Sequence, residues 1–238
     1  QKRVHQICFI KILIIYWSDW RGVAMTQSVP TTKLCENKFR EDRLLHNMKR
    51  ISKLNLLYIG FLGWILVSNS ISVLYLGNKI AYFELFTLLY GSFFIFNLAS
   101  FIFIEFFWLR GKRIGSLDTQ ERFIYVSVII TIFWGATVSI VDQQISMHLI
   151  IFTFCLVFYG AIIYLPAPFI ISLTIFTSLF LMIGIHIVQT DSGVAGLLTL
   201  FVITIDIVAI SLSRSVYKTY RNTYVINEKL KLEYEKTK

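Results

Sequence analysis

Charged residues are scarce in this chain. They make up 16% of its 238 residues, whereas soluble domains carry about 25%. Hydrophobic residues reach 56%, and the mean hydropathy is +0.66. This balance excludes an ordinary soluble globular domain and indicates that water is not the main solvent of the chain.

Cysteine and the common catalytic motifs are also rare or missing. The three cysteines, Cys8, Cys35 and Cys155, are odd in number and lack metal-ligand spacing, so they predict neither a disulfide framework nor a zinc site. The sequence has no nucleophile elbow, glycine-rich phosphate loop, paired catalytic carboxylates or HExxH motif. We therefore expect no enzymatic activity, metal or cofactor in these residues.

Long apolar runs, by contrast, fill most of the chain after residue 54. A run of about 20 apolar residues can cross a bilayer as a helix. We therefore predict an all-α polytopic membrane protein, a bundle of six transmembrane helices over residues 55–213 followed by a cytoplasmic exit helix. The spans are placed at about 55–76, 80–109, 123–141, 145–164, 169–188 and 194–213.

Lys and Arg flank these runs on alternate sides only, and basic residues near span ends stay in the cytoplasm. Both chain ends are thus predicted to be cytoplasmic. The net charge of +9 comes mostly from these flanks, where anionic lipid attracts it, so the bilayer is the expected partner and nucleic acid is not. The flanking cations are Lys38, Arg40, Arg43, Lys49, Arg50 and Lys53 before span 1, Arg110, Lys112, Arg113 and Arg122 after span 2, and Arg214, Lys218 and Arg221 after span 6, against Lys79 alone outside.

The two ends of the chain have different interpretations. Residues 1–24 precede the first methionine, Met25. The codons of Trp20-Arg21-Gly22 can contain the purine-rich sequence GGAGG, which just upstream of an ATG is typical of a ribosome-binding site. We therefore interpret residues 1–24 as normally untranslated upstream sequence, with a peripheral anchor as the alternative. Residues 25–54 read as a basic amphipathic arm on the inner leaflet, because Leu44, Met48 and Ile51 recur at helical spacing. Residues 214–238 read as the start of a cytoplasmic signalling helix without a stop signal.

Ionisable side chains inside the spans are the main candidates for function, since each costs at least about 2.5 kcal/mol in hydrocarbon without a partner or a watery cavity. Asp206 lies within span 6, Glu105 at a comparable depth in span 2, and Arg214 two turns beyond Asp206. With Arg110 they form a hypothetical cluster that couples span packing to the exit helix. The alternative is that Asp206 bonds to a Ser or Thr of a neighbouring span and that Glu105 reaches the interface.

A second group of ionisable residues is placed toward the outer side and contains two imidazoles. These side chains could bind a cation or titrate near neutral pH, but none are spaced i, i+3 or i+4 on one helix, so ordinary interfacial placement is the favoured interpretation. The members are Glu84, Asp142, His148, His186 and Asp191.

Several short motifs carry a resemblance to a known family. They are Leu165-Pro166-Ala167-Pro168 between spans 4 and 5, Ile210-Ser211-Leu212-Ser213-Arg214 at the end of span 6, Tyr217, and Asn227-Glu228-Lys229-Leu230. With them, residues 55–235 resemble the six-span N-terminal sensory modules of bacterial membrane-bound diguanylate cyclases of the GGDEF class, which also occur on histidine kinases. The resemblance implies a location in the bacterial inner membrane and a cytoplasmic catalytic domain that, as a dimer, condenses two GTP into cyclic di-GMP. The GGDEF signature is absent from these residues, so no catalytic residue is carried over.

The predicted function is therefore a membrane sensory module that transmits a signal through span 6 to an output domain. Tyr217, Tyr220 and Tyr224, followed by Ile226 and Leu230, fit the beginning of a coiled coil, so a homodimer through the exit helix is expected; a solvated tail helix is the alternative. The stimulus, a small molecule or lipid, is not identified. A small transporter or channel is the first rival function, and a membrane enzyme acting on lipid the second.

Overall fold

The computed structural model describes residues 33–76, 83–109, 116–143 and 149–237. By its contacts the chain divides into two units, Gln1–Arg40 and Glu41–Lys238. The described part of the first unit, residues 33–40, is helical. The first helix begins at Lys33, in the first unit. All contacts described below lie within the second unit.

All regular structure in the described ranges is helical, which confirms the predicted all-α class. The elements are α1 (Lys33–Leu76), α2 (Phe83–Phe103) with a π-helical continuation (Ile104–Leu109), α3 (Leu117–Asp142), α4 (Ile150–Ile162), α5 (Ala167–Val188) and α6 (Ser192–Thr237).

Five of these helices are long and apolar enough to cross a membrane. The exception is α4, which has 13 residues and is therefore about 20 Å long, against a hydrocarbon thickness of about 30 Å. It falls within the predicted span 145–164, whose first residues, 145–148, lie outside the described ranges. The length criterion thus supports five spans among the described residues.

The best-packed part of the second unit consists of α3, α4, α5 and α6, in which α3 and α6 each pack against both α4 and α5. Its interior is apolar and fully buried, as at Ile132, Phe152 and Leu181. Small residues allow the close approach: a Cβ placed on Gly160 of α4 would lie 3.2 Å from the carbonyl oxygen of Ala209 of α6. Helices α1 and α2 join this group through side chains, for example where Phe93 stacks on Trp134 with ring centroids 4.0 Å apart.

The helices continue without a break through two of the predicted segment boundaries, the one at residues 54–55 and the one at residues 213–214. The predicted arm and span 1 are parts of one helix, α1, and the apolar seam of the arm, at Leu44, Met48 and Ile51, is at most 2% exposed. Side chains of this protein therefore cover the seam. Likewise, span 6 and the exit segment form the single helix α6, whose 46 residues extend for about 69 Å.

The turn between α4 and α5 contains the two prolines expected to interrupt the chain. The backbone is extended at Ile163 and at Pro166, and α5 begins directly afterwards. Proline suits the first turn of a helix, because the N–H it lacks would have no partner there. This turn places Tyr164 outside any helix, at the end of the bundle where α4 stops.

Candidate functional site

The densest set of polar contacts between helices lies at the end of the bundle that holds the α4–α5 turn. We call it the junction and define it by Asp42, Arg43, His46, Asn47 and Arg50 of α1, Glu121 and Tyr125 of α3, Tyr164 of the turn, and Tyr217 and Tyr220 of α6. It joins four parts of the chain that are far apart in sequence. Because α6 continues beyond it, the junction lies where that helix leaves the bundle.

Asn47 binds the backbone of the turn. Its Nδ2 donates to the carbonyl oxygen of Tyr164 at 3.1 Å, and the N–H of Tyr164 donates to its Oδ1 at 2.9 Å. Asn47 is 2% exposed. Tyr164 lies outside a helix, so its backbone groups need partners from elsewhere, and the amide of Asn47 supplies both.

Arg50 reaches the same turn from one helical turn farther along α1. Its guanidinium donates to the carbonyl oxygen of Ile162, the last residue of α4, and to the hydroxyl of Tyr164. It also lies over the Tyr164 ring, 4.0 Å from the centroid. A cation at a helix C-terminus interacts favourably with the exposed carbonyl groups and the helix dipole, so Arg50 stabilises the end of α4 and the position of Tyr164 together.

Tyr220 connects the turn to α6. Its ring stacks on that of Tyr164, with centroids 3.8 Å apart and an interplanar angle of 11°, and its hydroxyl donates to Oδ2 of Asp42 at 2.5 Å. Partial burial and the neighbouring carboxylate raise the pKa of Tyr220, which lies beyond the apolar part of α6. The hydroxyl therefore keeps its proton and remains a donor. On the other side of the carboxylate, Nδ1 of His46 lies 3.5 Å from Oδ1 of Asp42.

An ion pair joins α1 to α3 in the same region. Nη2 of Arg43 lies 2.5 Å from Oε1 of Glu121, and their side chains are only 8% and 15% exposed. The hydroxyl of Tyr125 donates to the same carboxylate oxygen at 2.8 Å. The guanidinium of Arg43 also lies 6.0 Å from the centroid of the Tyr217 ring on α6. Arg43 thus contacts both α3 and α6.

The predicted cluster around Asp206 has a different arrangement. Oδ1 of Asp206 accepts a hydrogen bond from the hydroxyl of Ser178 on α5 at 2.7 Å, which is the contact of the alternative interpretation. Glu105, in the π-helical segment, accepts one from Ser52 on α1 at 2.6 Å. The two carboxylates therefore bond to different neighbours. Arg214 is half-buried on α6, and Arg110 lies outside the described residues, so the coupling role of these four residues stays a prediction.

Two of the predicted outer residues, Asp191 and His186, make contacts within or at the start of their own helices. Oδ1 of Asp191 accepts hydrogen bonds from the N–H groups of Gly193 and Val194 and so caps α6. Nδ1 of His186 lies 2.9 Å from the carbonyl oxygen of Met182, one turn back on α5. Glu84 is exposed in the first turn of α2, Asp142 ends α3, and His148 lies outside the described ranges. Among the described residues no group of three or more potential ligands could hold a metal ion.

Sequence reasoning missed most of the junction. The charge pattern predicts Arg43 and Arg50 at the lipid surface and gives no signal for Asn47 or Glu121. The signals that the sequence does contain are the proline turn and the tyrosines of the exit segment, but no pattern pairs them with α1.

No family model matches the chain, and no curated protein or solved structure matches it.

Proposed function

We propose that this chain is the membrane-embedded sensory and regulatory module of a signalling protein, and that α6 transmits rearrangements of the spans to an output domain. The output domain suggested by the resemblance is a diguanylate cyclase. The supporting observation is the continuity of α6 from the bundle to Thr237. Since about 30 Å of its 69 Å suffices to cross the hydrocarbon, more than half of the helix is available to carry a displacement into water.

Six crossings are part of this proposal, although α4 alone is short. The N–H of Phe152, near the start of α4, donates to the hydroxyl of Ser139 near the far end of α3, whereas Tyr164 lies at the junction. The segment 149–164 therefore connects opposite ends of the bundle, and its extended residues after Ile162 add to its reach. With six crossings, both chain ends lie on one side, and the placement of the cations makes that side the cytoplasm.

The exit part of α6 is suited to pairing with a second copy. Ile226 and Leu230 are 57% and 59% exposed and lie one helical turn apart on one face. A parallel α6 of a second subunit would cover them. Catalytic domains that work as dimers could then respond to a change in the separation or rotation of the two helices.

A fusion series tests this function directly. The chain is joined after Thr237 to a diguanylate cyclase domain that requires dimerisation, with insertions of zero to eight helix-forming residues at the joint. If α6 transmits a rotation, cyclase activity in membranes will vary with insertion length at the helical period and recover near three to four and near seven residues, which are about one and two turns. Activity that is independent of insertion length would contradict the proposal.

The matched control is a second fusion series in which each helix-forming insertion at the joint is replaced by a flexible Gly-Ser linker with the same number of residues. The linker uncouples rotation, so its activity should stay flat across the insertions. The DNA downstream of codon 238 supplies an independent test: an in-frame output domain supports the proposal, and an in-frame stop codon contradicts it and favours transport or a stand-alone regulator.

A further inference from the structure

The junction is a region where the part of α6 beyond the bundle is held against other parts of the chain. Tyr217 and Tyr220 make the contacts described above, and the later apolar side chains Ile226, Leu230 and Leu232 are more than half exposed. The contacts of Tyr217 and Tyr220 are polar and aromatic, and they can separate without unpacking an apolar core.

A second close contact with α6 lies on the N-terminal side of the junction, within the bundle. There the backbone of α4 approaches the backbone of α6 at Gly160 and Ala209, and Ser213 beside them is fully buried. Such a contact has little freedom to translate, because the backbones are already close. It has the properties of a pivot.

The spacing of the two contacts makes α6 a lever. Ala209 and Tyr220 are 11 residues apart, which is about 16 Å along the helix. Ala209 and Thr237 are 28 residues apart, so a tilt about the pivot moves Thr237 about 2.5 times as far as Tyr220, in proportion to helix length. A shift of an ångström or two at the junction would therefore be amplified at the end that meets the output domain.

We propose that Tyr220, stacked on Tyr164 and hydrogen-bonded to Asp42, is a latch that holds the exit helix against the α4–α5 turn in one signalling state and releases it in the other. Tyr164 is the fixed part of the latch, because Asn47 and Arg50 hold its backbone and ring. Release leaves Tyr164 in place and frees Tyr220 to move with α6. This inference rests on the proposed function and names the residues that position the transmitting helix.

The latch is tested on the full chain in lipid nanodiscs by measuring the distance between two spin labels. Lys53 and Lys229 are exposed on α1 and α6 and can be replaced by labelled cysteines, with Cys8 and Cys35 changed to Ser; Cys155 is 1% exposed and is retained. Tyr220→Phe keeps the ring and removes the hydroxyl, while Asp42→Ala removes the acceptor. We expect each to raise the population at the longer, released distance about tenfold, the factor that corresponds to losing one hydrogen bond to a charged group.

The double variant Tyr220→Phe with Asp42→Ala decides whether the two groups act together. A latch predicts that the double variant releases no more than the stronger single variant, because both remove the same hydrogen bond. Leu232→Ala is the control, since Leu232 lies on the exit helix away from the latch and is 55% exposed, and it should leave the distance distribution unchanged. Two results would overturn the latch: single variants with the distance distribution of the parent chain, or effects that add independently.

The distance measurement needs no output domain, so its failure can be told apart from failure of the proposed function. A periodic fusion series with an unresponsive distance distribution would reject the latch alone. A responsive latch with a flat fusion series would reject the signalling function while leaving the latch as a property of the fold.

Discussion

The two ends of the bundle are held together in different ways. At the junction, charged and aromatic side chains from α1, α3, α6 and the α4–α5 turn contact one another directly. At the opposite end, the described contacts between helices are uncharged: Nε2 of Gln189 lies 3.3 Å from the carbonyl oxygen of Gln143 and 3.5 Å from its Oε1, and the N–H of Phe152 donates to the hydroxyl of Ser139. Among the residues that the structure describes, the ion pair between helices lies at the end where α6 continues beyond the bundle.

The difference matters because a buried ion pair costs desolvation free energy when it forms, and the loss of one partner strongly destabilises the fold. An ion pair that loses one partner leaves a buried charge, so it specifies one arrangement more sharply than an apolar contact of similar size. The junction can therefore define the position of α6 more sharply than the uncharged contacts described at the opposite end. Each prediction below alters one side of this comparison.

The largest effect is expected at the Arg43–Glu121 ion pair. Replacing Arg43 by Met leaves the carboxylate of Glu121 largely buried with Tyr125 as its remaining described junction partner, and we expect a loss of about 3–5 kcal/mol in the free energy of unfolding. Unfolding in mixed micelles with increasing SDS, followed by tryptophan fluorescence, measures it. Adding Glu121→Gln to the same chain should recover much of the loss; a double variant as unstable as the sum of both single variants would show that the two side chains act separately.

A smaller loss is expected from Asn47→Ala, which removes both hydrogen bonds to the backbone of Tyr164. A buried polar group without a partner costs about 1–3 kcal/mol, and the loss should fall in that range or slightly above. The control at the opposite end is Gln189→Ala, which removes longer contacts, 3.3 and 3.5 Å, from a half-buried side chain and should change stability by less than about 1 kcal/mol. Equal losses for the two variants would remove the contrast between the ends.

The smallest of the three effects concerns the pivot. In Gly160→Ala the new methyl group would lie 3.2 Å from the carbonyl oxygen of Ala209, so α4 and α6 must separate by a few tenths of an ångström. Overpacking of this kind costs about 1–3 kcal/mol, and we expect the low end of that range. Gly196→Ala on α6, where no atom lies within 4 Å of the added carbon, is the control. A loss at Gly196 as large as that at Gly160 would mean that backbone proximity is not the cause.

Much of the fold could be predicted because hydropathy and proline act locally. The span placed at residues 169–188 corresponds to α5, Ala167–Val188, and the two prolines mark its start. The junction could not be predicted, because Asn47 and Tyr164 are 117 residues apart and one sequence contains nothing that pairs them. Periodicity found the seam at Leu44, Met48 and Ile51 but could not tell whether lipid or protein covers it. Hydropathy marks where an apolar run ends but not where a helix ends. It therefore could not predict that α1 and α6 continue across the predicted boundaries.

The account depends most on which side of the membrane the junction faces. Thr190 lies in the turn before α6 and Lys218 lies beside the junction, and both are exposed. Each can be replaced singly by cysteine in a chain with Cys8→Ser and Cys35→Ser and treated, in intact cells, with a maleimide that does not cross membranes. We predict that the cysteine at position 190 reacts from the medium and that the one at position 218 reacts only after the cells are opened. Labelling at position 218 in intact cells, with position 190 protected, would contradict the account.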